Sequence, residues 1–207
     1  APRFHPNRRG FDEFYGFLGG GHNYFGPYKA QNKAGTVWDY LEYPEHNGVP
    51  DTSLGKDDYL TDVLTAHGVR FLNQAATNDR PFFLFMSYNA PHTPLQARQE
   101  DMDRFPHLTG ARKTYAGMVW ALDRGIGKLT EALQANGQFE NTLIVFLSDN
   151  GGRTDQGAVN APLRGRKGDV WDGGFRVPMF MHLPKVIPAG RKYDHPVSAI
   201  DFYPTFA

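Results

Sequence analysis

Residues Val145–Pro178 read VFLSDNGGRTDQGAVNAPLRGRKGDVWDGGFRVP: an apolar run stops at Ser148, Asp149 and Asn150, and glycine and positive charge then fill the chain until Val177. A connection of about 25 residues without apolar periodicity is, inside a compact domain, either a functional loop or a disordered one. Its flanks decide the fold. Before it, Thr142–Leu147 (TLIVFL) is β-branched and aromatic without alternation, as in a strand buried on both faces. After it, Val177–Leu183 (VPMFMHL) is a second such run, with Pro178 tolerable only near its start.

Further upstream, Tyr115, Met118, Val119, Leu122, Ile126, Leu129 and Leu133 keep one helical face, and Asn136-Gly137 supplies a C-terminal stop. Phe82–Tyr88 (FFLFMSY) is a third apolar run, punctuated in front by Asn78-Asp79 and Pro81. Leu60, Val63, Leu64, His67 and Phe71 fall at helical spacing and predict a helix over 57–76. Residues 1–56, rich in Gly, Pro, Tyr and Asn and without a sustained period, predict a loop-dominated segment packed by aromatics. Doubly apolar strands separated by helices imply an α/β fold: a mostly parallel sheet flanked by helices on both faces. The 207 residues suit one domain, a loop-rich segment over 1–56 followed by an α/β core over 57–207.

Bulk composition excludes several classes. Lys plus Arg and Asp plus Glu are both 22, so no net field recruits nucleic acid or anionic lipid, and neither is an expected partner. Cysteine is absent, which removes disulfide scaffolds, thiolate zinc sites and cysteine nucleophiles together. The longest apolar run, 81–86, is far short of the roughly 20 residues that span a bilayer, so no membrane partner is expected either. The opening APRFHPNRRGFDEFYGF has no apolar signal-peptide region and reads as the interior of a longer protein.

In open parallel sheets, ligands bind outside the carboxyl ends of the strands. The 82–88 run issues into Asn89-Ala90-Pro91-His92-Thr93-Pro94, and the 142–147 run into Ser148-Asp149-Asn150-Gly151-Gly152. If both strands point the same way, His92 and the Asp149/Asn150 pair share one rim, over which the Gly-rich loop can fold Arg164, Arg166 and Lys167. Each piece alone reads as a turn, a rigid proline loop or a solvated basic stretch. Together they have a chemistry. Asp149 and Asn150 offer hard oxygen ligands suited to Ca²⁺ or Mg²⁺, and a divalent cation, an ammonium and an imidazole converging on one point would bind a tetrahedral oxyanion and stabilise its leaving group. That design suits hydrolysis of sulfate or phosphate esters. The other histidines, at 5, 22, 46, 67, 107, 182 and 195, show no metalloprotease-like spacing and read as structural or surface residues.

RGFDEFYGF, PFFLFMSYNAPHTPLQA, YAGMVWALDRGIGKLTEALQANGQFENTLIVFLSDNGG, LRGRKGDVWDGGFRVP and VSAIDFYPTFA resemble, in this order, successive blocks of the type I sulfatases, arylsulfatase-like enzymes of the alkaline phosphatase superfamily. The resemblance covers nearly the whole chain. It implies an alkaline phosphatase-like fold, here incomplete, with Asp149 and Asn150 as calcium ligands. It also implies His92 and Lys167 as catalytic, sulfate-contacting residues, and a sulfated small molecule or carbohydrate as substrate. Family habit further implies a bacterial periplasmic or secreted location.

Three family blocks are missing: an early Asp-Asp pair completing the calcium site, a C-x-P-S-R block whose Cys becomes formylglycine, and a GKWHLG-like block. In such enzymes the formylglycine hydrate attacks sulfur; here no residue could become it. The expectation is therefore a central piece of the large catalytic domain, without its N-terminal strands and small C-terminal domain, partnered by the remainder of its own polypeptide and inactive alone. A sheet lacking early strands should leave an unpaired edge and uncovered apolar surface. Two alternatives stay open: a phosphonate or phosphodiester hydrolase of the same superfamily, and a non-catalytic binding paralogue. Gly19-Gly20-Gly21-His22-Asn23-Tyr24 is a candidate substrate-facing stretch.

Overall fold

The computed structural model describes residues 2–28 and 42–206; the part of the loop-rich segment over 29–41 lies outside the described residues. In chain order the elements are β1 (Tyr15–Gly16), β2 (Glu45–His46), β3 (Val49–Pro50), α1 (Leu60–Ala75), α2 (Gln99–Asp103), α3 (Gly110–Ala135), β4 (Ile144–Leu147), α4 (Asp172–Phe175), β5 (Met179–His182) and α5 (Phe202–Phe206), with short 3₁₀ turns between them. The described residues of the N-terminal segment carry only short strands and 3₁₀ turns. Its strands β1, β2 and β3 form a two-residue-wide antiparallel meander.

The centre is the pair α1 and α3, lying side by side in the same sense. Small residues let them approach: a Cβ on Gly125 would sit 2.6 Å from Thr65 Oγ1, and one on Gly68 would sit 2.8 Å from Leu129. Across the pair runs the segment 82–90 in the opposite direction. Phe82 and Leu84 pack with Leu72, Ala132 and Leu133 near the helix C-termini. Tyr88 reaches Thr65 Oγ1 at 2.8 Å, and Ala90 closes a cluster with Tyr24, Tyr59, Met118 and Ala121. An Arg124 guanidinium from α3 adds a polar tie, bonding Asp62 of α1 at 2.9 Å and the buried Asp101 of α2.

Two expectations about the sheet need correction. The 82–88 run joins no ladder among the described residues, and its faces differ: Phe82, Leu84, Met86 and Tyr88 turn toward the helices, whereas Phe83 and Phe85 are 73% and 66% exposed. Among the described residues helices therefore pack on one face of it. The second correction concerns direction: β4 pairs β5 antiparallel, from Ile144 opposite His182 to Leu147 opposite Met179, not in the parallel sense that the apolar runs suggested. The physical reason is the connection. A parallel return needs a crossover, usually a helix, and the longest helix between β4 and β5 is the four residues of α4, so the chain doubles back.

Candidate functional site

The two loops expected to meet leave the fold at the same end. Segment 82–90 starts at the cluster around Leu72 and Leu133 and finishes beside Met118 and Ala121 in the first half of α3. β4 starts at the same cluster, where Ile144 packs. The loop after β4 reaches the first turn of α3, where Arg112 Nη1 donates to the Gly157 carbonyl at 2.7 Å. The two apolar runs thus point the same way, and the loops bearing His92 and Asp149/Asn150 both emerge toward the N-terminal ends of α1 and α3.

The long loop over 148–178 is built, not frayed. Gly151 N–H donates to the Gly174 carbonyl at 2.9 Å, Gly173 N–H to Arg164 at 2.7 Å, and Lys167 N–H to Gly152 at 3.3 Å. Asn160 is the clasp at its centre. Its Oδ1 accepts from Gly152 N–H at 3.0 Å, and its Nδ2 donates to the carbonyls of Gly152 and Gly165 at 2.8 and 3.0 Å. The glycines are spacing requirements: a Cβ on Gly151 would lie 1.8 Å from the Gly173 carbonyl oxygen, and one on Gly174 2.1 Å from that of Asp169. Sequence reading singled out the charges of this loop and missed Asn160, whose one available signal was a polar residue flanked by glycine-rich turns.

The basic cluster sorts itself by partner. Arg164 lies over the Trp171 ring, 3.8 Å from its centroid, and Arg166 pairs with Asp155 at 3.1 Å. Arg153 pairs with the same carboxylate, whose pKa is lowered to about 2, first by the Arg153 hydrogen bond. Lys167 has no side-chain partner among the described residues, so it alone of the R-G-R-K set keeps an uncommitted charge; its main chain is fixed to Gly152, two residues past Asn150. The structure thereby joins the Lys167 and Asp149/Asn150 stretches through the backbone.

Asp149 Oδ2 accepts from Asn150 Nδ2 at 2.6 Å, and Asp149 Oδ1 and the Asn150 side-chain oxygen have no hydrogen-bond partner among the described residues. Two hard oxygens on neighbouring residues suit a calcium or magnesium ion in kind, but a calcium ion takes about six to eight. Among the described residues no group of three or more His, Asp or Glu is placed to hold a metal, so Asp149 and Asn150 would be part of a ligand set.

His92 occupies a turn in which its N–H donates to the Asn89 carbonyl at 2.7 Å. Its Nδ1 lies 2.7 Å from the Thr93 carbonyl, which assigns the proton to Nδ1, and Nε2 has no partner among the described residues. The turn rests on the N-terminal segment. Tyr24, fully buried, sets its hydroxyl 2.8 Å from the Asn89 carbonyl and 2.9 Å from that of His92. This alters one expectation for residues 19–24: Gly19 and Gly20 are exposed, but His22 and Tyr24 are core residues.

The chain as a whole is similar to known proteins. Arylsulfatase J of Mus musculus is 36% identical over 203 residues, 97% of this chain and 33% of its own length. The uncharacterized sulfatase YdeN of Escherichia coli strain K12 is 34% identical over 209 residues, covering 99% of this chain and 34% of itself. The chain thus spans about a third of the length of these curated relatives. Among solved structures, Ps i-CgsB in complex with k-i-k-neocarrahexaose matches with a TM-score of 0.92 at 52% identity, covering 100% of this chain and 47% of that one. These likenesses give the chain an alkaline phosphatase-like α/β fold. The model of the sulfatase family matches residues 2–207, and with a match of that extent the chain belongs to the sulfatase family.

Proposed function

We propose that these 207 residues are the central part of the catalytic domain of a longer enzyme that hydrolyses a sulfate ester on a carbohydrate. In this reading Lys167 and His92 contact the sulfate, and Asp149 and Asn150 contribute to a calcium site. The carrying observation is the common exit of the His92 loop and the glycine-knit loop at one end of the helix pair. The Lys167 ammonium is uncommitted and meets the anion. His92 keeps its Nδ1 proton on the Thr93 carbonyl and presents Nε2, where it holds or delivers a proton to the departing oxygen. The cation, when bound, draws charge from the sulfate oxygens.

The nucleophile is assigned to the remainder of the polypeptide, because the chain has no cysteine from which formylglycine could be made. The same remainder supplies the strands that border 82–88 and complete a mostly parallel sheet. The substrate class we favour is a carrageenan-type oligosaccharide, supported by the 52% identical neighbour and its bound neocarrahexaose, and the location is the bacterial periplasm or exterior. No helix among the described residues is long and apolar enough to cross a membrane.

The test is sulfate release from carrageenan oligosaccharides by the full-length parent enzyme, set beside a phosphodiester substrate. Lys167→Ala should lower kcat by about 10²–10³-fold, and the 207-residue polypeptide alone should give no turnover. A Lys167→Ala enzyme as fast as wild type, or a parent that prefers the phosphodiester, would sink the proposal.

A further inference from the structure

We propose that Tyr24 is the positioning residue for His92: its buried hydroxyl fixes the main chain of the 89–92 turn and, through it, the aim of the imidazole. The inference rests on the reading above, in which His92 contacts the sulfate.

The ring of Tyr24 belongs to the cluster with Tyr59, Ala90, Met118 and Ala121, and a phenylalanine would fill that space equally. The hydroxyl is what phenylalanine lacks. It sits between two carbonyls of one turn, 2.8 Å from Asn89 and 2.9 Å from His92. The Asn89 carbonyl already accepts the His92 N–H at 2.7 Å, so satisfying that oxygen does not require Tyr24. The His92 carbonyl has the Tyr24 hydroxyl as its donor, and the bond ties the residue bearing the imidazole to a core side chain.

The ring follows the main chain closely, because its Nδ1 is held by the next carbonyl, that of Thr93. Tyr24 itself is held from both sides. Its N–H donates to Gln96 Oε1 at 2.7 Å, and its carbonyl accepts the Leu60 N–H at 2.8 Å at the start of α1. Burial pushes the Tyr24 phenol well above its ordinary range, so it remains a donor at every working pH. The chain of support runs from α1 through Tyr24 to the His92 main chain and then to the ring.

The experiment is a double-mutant cycle in the full-length parent enzyme. Tyr24→Phe should lower kcat by about 10–100-fold, the scale of a misplaced reacting group, with KM changed by less than about threefold. In a His92→Ala background the same substitution should change kcat by less than about twofold, since coupled residues are not additive. The ¹⁵N imidazole resonances of His92, read in the resting enzyme without turnover, should shift in Tyr24→Phe. Should Tyr24→Phe not fold, Gln96→Ala loosens the same support from outside the core and should show the same lack of additivity with His92→Ala. Equal kcat losses in both backgrounds, or unmoved imidazole resonances, overturn the assignment. A His92→Ala enzyme with wild-type kcat would instead remove the underlying reading of His92.

Discussion

The two loops at the N-terminal end of the helix pair are held by opposite means. Around His92 the support is side-chain packing: Tyr24, Tyr59, Met118 and Ala121 are buried, and the turn is fastened to them. Around Lys167 there is almost no apolar core. Of the loop's side chains beyond glycine, Ala158 alone is buried, and main-chain bonds with the Asn160 amide do the holding. The difference teaches that a position can be fixed by volume or by backbone spacing, and that the two respond to different substitutions. A packed support loses energy when a large group becomes small; a glycine-spaced support loses it when a small group becomes large.

That contrast can be broken experimentally. Met118→Ala should cost about 3 kcal/mol of global stability, the scale of a large-to-small core change, seen as a lower urea midpoint; an unchanged midpoint would mean that the aromatic cluster is not the support. Gly173→Ala should cost about 2 kcal/mol by overpacking, because its Cβ would lie 2.3 Å from the Gly165 carbonyl oxygen. That loss should appear locally, as faster amide exchange at Gly152 and Lys167 with the urea midpoint little moved. A fully cooperative loss would show that the loop and the helix pair are one unit.

The smallest effect comes from a packed site away from both loops. His67 stacks on Tyr15 with centroids 3.2 Å apart, and burial, with Arg70 next in importance, lowers its pKa from 6.5 to about 4. The unfolded chain then binds the proton more readily than the folded one between those values. This contribution to stability is complete above about pH 6.5 and declines as pH falls toward 4. Urea midpoints at pH 7, 5 and 4 should show that decline, and His67→Gln should flatten it.

The helices were legible in the sequence because their apolar faces repeat: the periodicity over 57–76 becomes α1 at Leu60–Ala75, and the face from Tyr115 to Leu133 lies within α3 at Gly110–Ala135. The runs over 142–147 and 177–183 likewise contain β4 and β5. Their relative direction was not legible, since an apolar run carries no sense of up or down. The one available clue was that no helix-length periodicity lies between them. Segment 82–88 read as doubly apolar although among the described residues helices pack on one of its faces only, because Phe83 and Phe85 look the same in sequence whether or not a helix covers them. At the candidate site, motif residues announced themselves by charge and proline. Their supports did not: Tyr24 is one of 10 tyrosines, and only the fold reveals that its hydroxyl ends at the His92 carbonyl.

The antiparallel pairing of β4 with β5 has a consequence for how this region can vary. Leu147 lies opposite Met179, so the ladder itself brings the ends of the intervening loop together. Once the ends are joined, closure entropy depends only weakly on what lies between, and doubling the length adds only about 0.6 kcal/mol. Extra residues near the exposed Thr154 and Asp155 could therefore reshape the rim of the candidate site while leaving the ladder as it is.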